Sequence, residues 1–182
     1  MRDIKIRRPR LEDIEEMNQF FSTVIIDTFA REGLSYLSGD IENEIRSKNK
    51  YFKSDLESNG INRYFLIAFD NEKIVGSIEY GSANELIISI TEGKFEEVVE
   101  VGTAFVLPDY QKQGIGNLLL NEMYQVLKDK GIEEFCLDSG YTNAQKVWMK
   151  KFGNPKYLLK NYWSSSNDHM IWRVKLNDIL KE

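Results

Sequence analysis

Val106-Leu-Pro-Asp-Tyr-Gln-Lys-Gln-Gly-Ile-Gly116, followed at once by Asn117-Leu-Leu-Leu-Asn-Glu-Met-Tyr124, decides the fold of this chain. An apolar run carrying Val98, Val99, Val101, Ala104, Phe105 and Val106 stops at Pro108. A short polar loop then brings Gly114 and Gly116 to the front of an amphipathic helix, with Leu119, Leu120, Met123, Tyr124 and Leu127 on its inner face. Strand, glycine loop and helix start together make a place for a pyrophosphate. Glycine lets a backbone approach closely, and the first N–H groups of a helix have no internal partner. The helix dipole favours an anion there by about 0.3–1 kcal/mol.

Two common nucleotide loops do not fit. A dinucleotide fingerprint needs a third glycine three residues after the second, and that position is Leu119. A P-loop needs Gly-Lys-Ser/Thr, whereas Gly116 precedes Asn117-Leu118. Two glycines alone also fit an ordinary helix start.

Outward from this stretch, periodicity supplies the other elements. Residues 4–7 alternate and predict a strand. Leu11, Ile14, Met17, Phe20, Phe21, Val24, Ile25 and Thr28 fall at helical spacing to about Ala30. Gly33 and Gly39 break the chain, and a more polar helix is expected over residues 40–59. Residues 63–69 and 73–80 predict a hairpin, residues 86–90 extend its sheet, and residues 96–107 form the strand before the glycine loop. Residues 134–137 read as a strand. Thr142-Asn-Ala-Gln145 reads as a capping box opening a helix with Ala144, Val147, Trp148 and Phe152 on its apolar side. Residues 157–163 and 170–176 are a closing strand pair, joined by a turn at residues 164–168. The fold class is therefore α/β (α+β), a mixed, mostly antiparallel sheet flanked by helices on both faces, in a single domain over residues 1–182.

Composition narrows the function classes. With 182 residues, 42% hydrophobic and 12% aromatic, the chain suits one domain with a real core. Its longest apolar runs, residues 65–69 and 86–90, are too short to span a bilayer. No apolar signal segment follows the basic first residues. Cys136 and His169 are each single, which leaves no disulfide framework and no Cys/His zinc site. A net charge of −5 argues against nucleic acid as a partner. The expectation is a cytoplasmic protein with no metal, no membrane partner and no nucleic-acid partner.

Gln111-x-x-Gly114-x-Gly116, between a strand ending in Val106 and a Leu-rich helix, resembles the acetyl-CoA motif of the GNAT superfamily of N-acetyltransferases. Asn143-Ala144 and Lys150-Lys-Phe-Gly153 resemble its second motif, and the order of elements matches along the whole chain. The resemblance implies acetyl-CoA as co-substrate and direct acetyl transfer to a primary amine of a small molecule or peptide, without a covalent enzyme intermediate. It implies that the main-chain N–H groups of Lys112, Gln113, Gly114, Ile115, Gly116 and Asn117 hold the pyrophosphate, next to Gln111 of the motif. Phe105, Val106 and Leu107 would line the pantetheine arm and pair with its amides. Asn143 would contact the pantetheine region, and Lys150, with Lys146, would approach the adenosine 3′-phosphate; a solvated helix face fits both lysines equally well.

The resemblance also assigns chemistry. The Ala104 N–H is the implied donor to the thioester oxyanion. Glu100, eleven residues before Gln111, stands where the family often carries a general base, though it also reads as a solvated strand carboxylate. Family members often carry a tyrosine four residues after the Ala144 position, to protonate the thiolate. Trp148 stands there and has no acidic proton, so Tyr141 becomes the candidate, with Tyr157 and Tyr162 as alternatives. Lys112 stands where glycine is frequent.

Cys136 reads as inert packing in a buried strand, and His169 as a structural residue. Phe20, Phe21, Phe29 and Tyr36 are candidates for an acceptor wall, with core packing the better reading of the first two. The acceptor stays open among polyamine, aminoglycoside, amino acid and protein N-terminus, and a homodimer stays open too. The alternative to an enzyme is a non-catalytic acyl-CoA-binding or sensor module on the same fold, which Trp148 favours; a structural partner protein is the third reading.

Overall fold

A computed structural model describes residues 3–179. Its strands are β1 (Ile4–Arg7), β2 (Arg63–Asp70), β3 (Lys73–Ser82), β4 (Val99–Val106), β5 (Glu134–Ser139), β6 (Tyr157–Ser164) and β7 (Asn167–Lys175). Among the described residues they form one seven-stranded mixed sheet in the order β1-β2-β3-β4-β5-β7-β6. β4 and β5 run parallel, with Val99 beside Phe135 and Glu100 beside Cys136. The β1/β2, β5/β7 and β6/β7 pairs are antiparallel. The helices are α1 (Ile14–Arg31), α2 (Ser38–Ser58), α3 (Glu85–Ile90), α4 (Ile115–Asp129), α5 (Thr142–Phe152) and α6 (Leu176–Ile179). None of them is long and apolar enough to cross a membrane.

The chain divides into two compact units. Among the described residues, one holds residues 3–80 together with Thr103–Val126; the other holds Gly81–Gly102 and residues 127–179.

In the first unit, helical spacing buries Met17, Phe20, Phe21, Val24, Ile25 and Phe29 of α1. Phe21 is the hub, with its ring 6.2 Å from Phe52, 6.3 Å from Phe65 and 6.4 Å from Phe105. Leu11 and Ile14 are exposed rather than inward, because a 3-10 turn over Leu11–Asp13 precedes the helix and turns Asp13 inward instead. Arg7 grips that carboxylate with two hydrogen bonds of 2.8 and 2.9 Å. Asp55, fully buried on α2, accepts from both amino groups of Arg8 and from the Phe65 N–H at 2.6 Å. One carboxylate thereby ties the residue just after β1 to α2 and β2. Gly39 does not break the chain; α2 begins one residue before it, and Asn59 closes the helix in the left-handed conformation (φ 50°). Phe20, Phe21 and Phe29 are core, and Tyr36 is exposed.

In the second unit, Ala83, Ile87, Phe95, Val98, Cys136 and Ile171 form the apolar cluster. Residues 86–90 are helical, not an added strand. Asn84 accepts from the Ile87 N–H at 2.9 Å, and that cap with Glu85 behind it favours a helix start over a strand. The capping box at Thr142 is absent: Tyr141 is the cap position and no side chain caps the helix. The Gln145 amide donates instead to the carbonyls of Ser139 and Asp168, both at 2.9 Å. A buried amide is held by whatever carbonyls lie within reach. Val147 is exposed, and Trp148 stacks on Phe152 with ring centroids 5.8 Å apart. Cys136 is buried; burial pushes its thiol pKa up, and the charges of Glu100 and Asp138 push it further.

Candidate functional site

The glycine loop lies in the first unit and is built almost entirely by local hydrogen bonds. The Leu107 N–H donates to the Val75 carbonyl at 2.9 Å, which fixes the end of β4 to β3. A 3-10 turn over Pro108–Tyr110 follows. The Gln111 amide donates to the Val106 carbonyl at 3.1 Å, and the Gln113 amide to the Asp109 carbonyl at 2.8 Å. Both glutamines therefore shape the loop. Lys112 (φ 60°) and Gly114 (φ 86°) adopt left-handed conformations, which curl the main chain and turn successive N–H groups into a concavity suited to an anion.

The N–H groups of Asn117 and Leu118 both donate to the Gly114 carbonyl, at 3.0 and 3.1 Å. No described residue accepts from the N–H groups of Lys112, Gln113, Gly114, Ile115 or Gly116. Five of the six expected donors are thus available, and the Asn117 N–H is already engaged. A Cβ added to Gly116 would meet only Val106 Cγ2 at 3.9 Å, so the protein itself has no need of glycine there. Gly76 of β3 shows the opposite case: a Cβ would meet Leu119 Cδ1 at 2.9 Å and Ile115 Cγ2 at 3.2 Å. Its bare backbone is the seat on which the first turn of α4 rests.

β4 departs from simple alternation. Thr103, buried, has φ 49°, and the next residue, Ala104, is exposed; Phe105 and Val106 are half-buried.

The second unit holds a chain of side-chain hydrogen bonds that sequence reasoning did not find. Glu100 is buried, so it is not a solvated carboxylate. It accepts from the Asn84 N–H at 2.7 Å and from the Asn84 amide nitrogen at 3.1 Å. That nitrogen also donates to Asp138 Oδ2 at 3.3 Å, and His169 Nε2 lies 3.1 Å from the same oxygen. Trp163 Nε1 donates to His169 Nδ1 at 3.2 Å. An indole N–H only donates, so Nδ1 is the acceptor and the His169 proton sits on Nε2, toward Asp138. Gly140 makes room for this contact: a Cβ there would lie 2.6 Å from Trp163 Nε1. His169 is structural as expected, but it is also a polarised neighbour of Asp138. An acidic residue in the apolar strand Phe-Cys-Leu-Asp138 was the available signal.

The remaining candidates also lie in the second unit. Tyr141 precedes α5, half-buried, with its N–H on Ser139 Oγ at 3.1 Å. Tyr157 packs edge-on against Phe95, and Tyr162 edge-on against Trp163. Asn143, Lys146 and Lys150 are exposed on α5. Lys151 has its pKa lowered by burial and by the charge of Lys150.

Residues 29–153 match the model of the acetyltransferase (GNAT) family. Over 72 residues the chain is 33% identical to the [ribosomal protein bS18]-alanine N-acetyltransferase of Haemophilus influenzae. That segment covers 37% of this chain and 49% of that protein, so the match spans about half the relative's length. The fold is similar to that of a GNAT-family protein from Desulfovibrio desulfuricans, with a TM-score of 0.71 at 14% identity over 95% of this chain and 99% of that one. It is also similar to the PaiA N-acetyltransferase of Thermoplasma acidophilum, solved in complex with coenzyme A, with a TM-score of 0.66 at 23% identity over 94% and 99% of the two chains. With strand, glycine loop and helix in place and the family's model matched over more than half its length, the chain belongs to the acetyltransferase (GNAT) family.

Proposed function

We propose that this protein transfers an acetyl group from acetyl-CoA to a primary amine. The run of available N–H groups at residues 112–116, with Gly116 open where the fold needs no glycine, carries this reading. Such a cradle fits a pyrophosphate, because main-chain donors and a helix N-terminus both favour negative charge. On this reading Phe105 and Val106 would line the pantetheine arm and pair with its amides, while the Leu107 N–H donates to the Val75 carbonyl. On the same reading Asn143 would contact the pantetheine and Lys150 the adenosine 3′-phosphate.

Bound acetyl-CoA supplies an activated acyl group. The amine nitrogen attacks the thioester carbon, the C–S bond breaks, and the thiolate takes up a proton from Tyr141 or water. An amine with a pKa of about 10.4 costs roughly 4–5 kcal/mol to deprotonate at pH 7, so a base is useful. The N–H of Ala104 is assigned to the developing oxyanion.

Glu100 is the first candidate for the base. A second reading is favoured by one observation: both Glu100 oxygens accept from Asn84, whereas no described residue bonds Asp138 Oδ1. In that reading Asp138 takes the proton and Glu100 anchors Asn84. The relative named for alanine N-acetylation makes an N-terminal alanine the first acceptor to try.

Release of free CoA thiol from acetyl-CoA, measured with an Ala-starting peptide, spermidine, an aminoglycoside and free amino acids, tests the proposal alongside calorimetric titration of acetyl-CoA. Binding with turnover on one of these amines is expected. Binding without turnover on any amine would make the protein an acyl-CoA-binding module, and absence of binding would overturn the cradle itself.

A further inference from the structure

We infer that Glu79, acting through Thr103, is a positioning residue that sets the orientation of the Ala104 N–H; the inference rests on the oxyanion role proposed for that group. Thr103 is a β-branched residue in a left-handed conformation in the middle of a strand, a position where glycine or asparagine is the usual solution. Its side chain is therefore present for a reason other than the bend. The hydroxyl Oγ1 donates to Glu79 Oε1 at 3.2 Å, and the carbonyl of the same residue accepts from Ser77 Oγ at 2.8 Å. Thr103 is gripped on both its side chain and its main chain.

Glu79 is fully buried and touches no solvent. Arg63 Nη1 meets its two oxygens at 3.1 and 3.4 Å, and the Arg63 guanidinium lies 3.8 Å from the Tyr51 ring centre. A buried ion pair is weak evidence of stabilisation, since apolar replacements often do as well. Here the pair ends on the hydroxyl of the one strained residue of β4. Backbone strain persists only where its surroundings over-determine it, and it gathers at working sites. Ala104, directly after the bend, is exposed, while Val101 and Thr103 before it are buried. The clamp thus decides where the strand turns out and which way the next N–H points. Relaxed to an extended conformation, Thr103 would return β4 to regular alternation and re-aim that N–H.

Thr103→Val keeps the shape and the Arg63–Glu79 pair but deletes the hydroxyl. In the intact protein, kcat for acetyl transfer is expected to fall about 10-fold or more, as for a misaligned oxyanion donor. The acetyl-CoA Kd should stay within about 2-fold, because residues 112–116 are untouched. Thr103→Ser should recover kcat to within about 3-fold of wild type, since the hydroxyl returns. Amide hydrogen exchange at Ala104 is read in the same variants and needs no turnover. Unchanged kcat with unchanged Ala104 exchange in Thr103→Val would overturn the inference, as would an equal loss of kcat in Thr103→Ser. If wild type transfers no acetyl group to any amine, the proposed function fails on its own, and the Ala104 exchange still decides whether the clamp holds the bend.

Discussion

The glycine loop of the first unit and the polar chain of the second are built from opposite materials. The loop consists of main-chain N–H groups on consecutive residues, 112–116, shaped by two left-handed conformations and two glutamine side chains that bond within the segment. The polar chain consists of side chains from β4, the cap of α3, β5, β7 and β6, joined end to end from Glu100 to Trp163. A main-chain site depends on which residues lack a side chain; a side-chain site depends on which atoms each residue carries. Substitutions should therefore fail differently in the two regions.

The largest effect is expected in the polar chain. Asp138→Asn should lower kcat by about 10²–10³-fold, the usual worth of a positioned general base, while calorimetry finds acetyl-CoA binding intact. Glu100→Gln is the control: a loss as large as that of Asp138→Asn returns the base to Glu100, and a smaller loss leaves it with Asp138. A drop in cofactor affinity in either variant would break the distinction between the two regions.

Next is the reverse experiment. Gly116→Val fills space that the fold leaves open, so melting should change little while acetyl-CoA affinity falls by about 100-fold, the cost of blocking main-chain approach to an anion. Retention of affinity in Gly116→Val would mean that the pyrophosphate lies elsewhere.

Gly140→Ala tests the far end of the polar chain. The new methyl would lie 2.6 Å from Trp163 Nε1. Overpacking of this kind costs about 1–3 kcal/mol, and the fluorescence of the exposed indole should shift as its bond to His169 is lost. Unchanged melting and fluorescence would show that the Trp163–His169 contact is dispensable.

The smallest effect concerns pH. Arg173 donates two hydrogen bonds to Glu134 and holds its carboxyl below the usual range, against burial, which pushes it up. A lowered folded pKa contributes stability above the unfolded value and loses it as pH falls through the folded one. The pair is partly exposed, so less than about 1 kcal/mol is at stake. Glu134→Gln should accordingly flatten the acid limb of the melting curve below about pH 4, and an unchanged limb would mean that the pair contributes nothing.

How much was readable in advance follows from the same contrast. The helix from Ile115, the buried face of α1 and the places of all seven described strands were visible because each depends on spacing within a short window; residues 86–90 were misread as an added strand because an apolar run of five fits helix and strand alike. The capping box failed at Gln145 because two carbonyls, one of them 23 positions away, offered its amide a better use. Glu100 was placed on the right strand, but its burial depends on Asn84, 16 positions earlier. His169 was seen as structural, and its link to Asp138 lies across 31 positions of chain. Tyr141 carried no local signal beyond its place before a helix.

The amino-acid sequence alone determined the strand–loop–helix unit, since glycines at 114 and 116 and the Leu-rich helix behind them act on neighbouring backbone atoms. It also determined family membership, which rests on the order of such local units. Tertiary structure alone decided that Glu100 is buried, that Asp138 shares one oxygen with Asn84 and His169, and that Thr103 bends β4 under the hold of Glu79. Each of these depends on side chains that meet only after distant segments have packed, and no spacing rule within a single element reports such meetings.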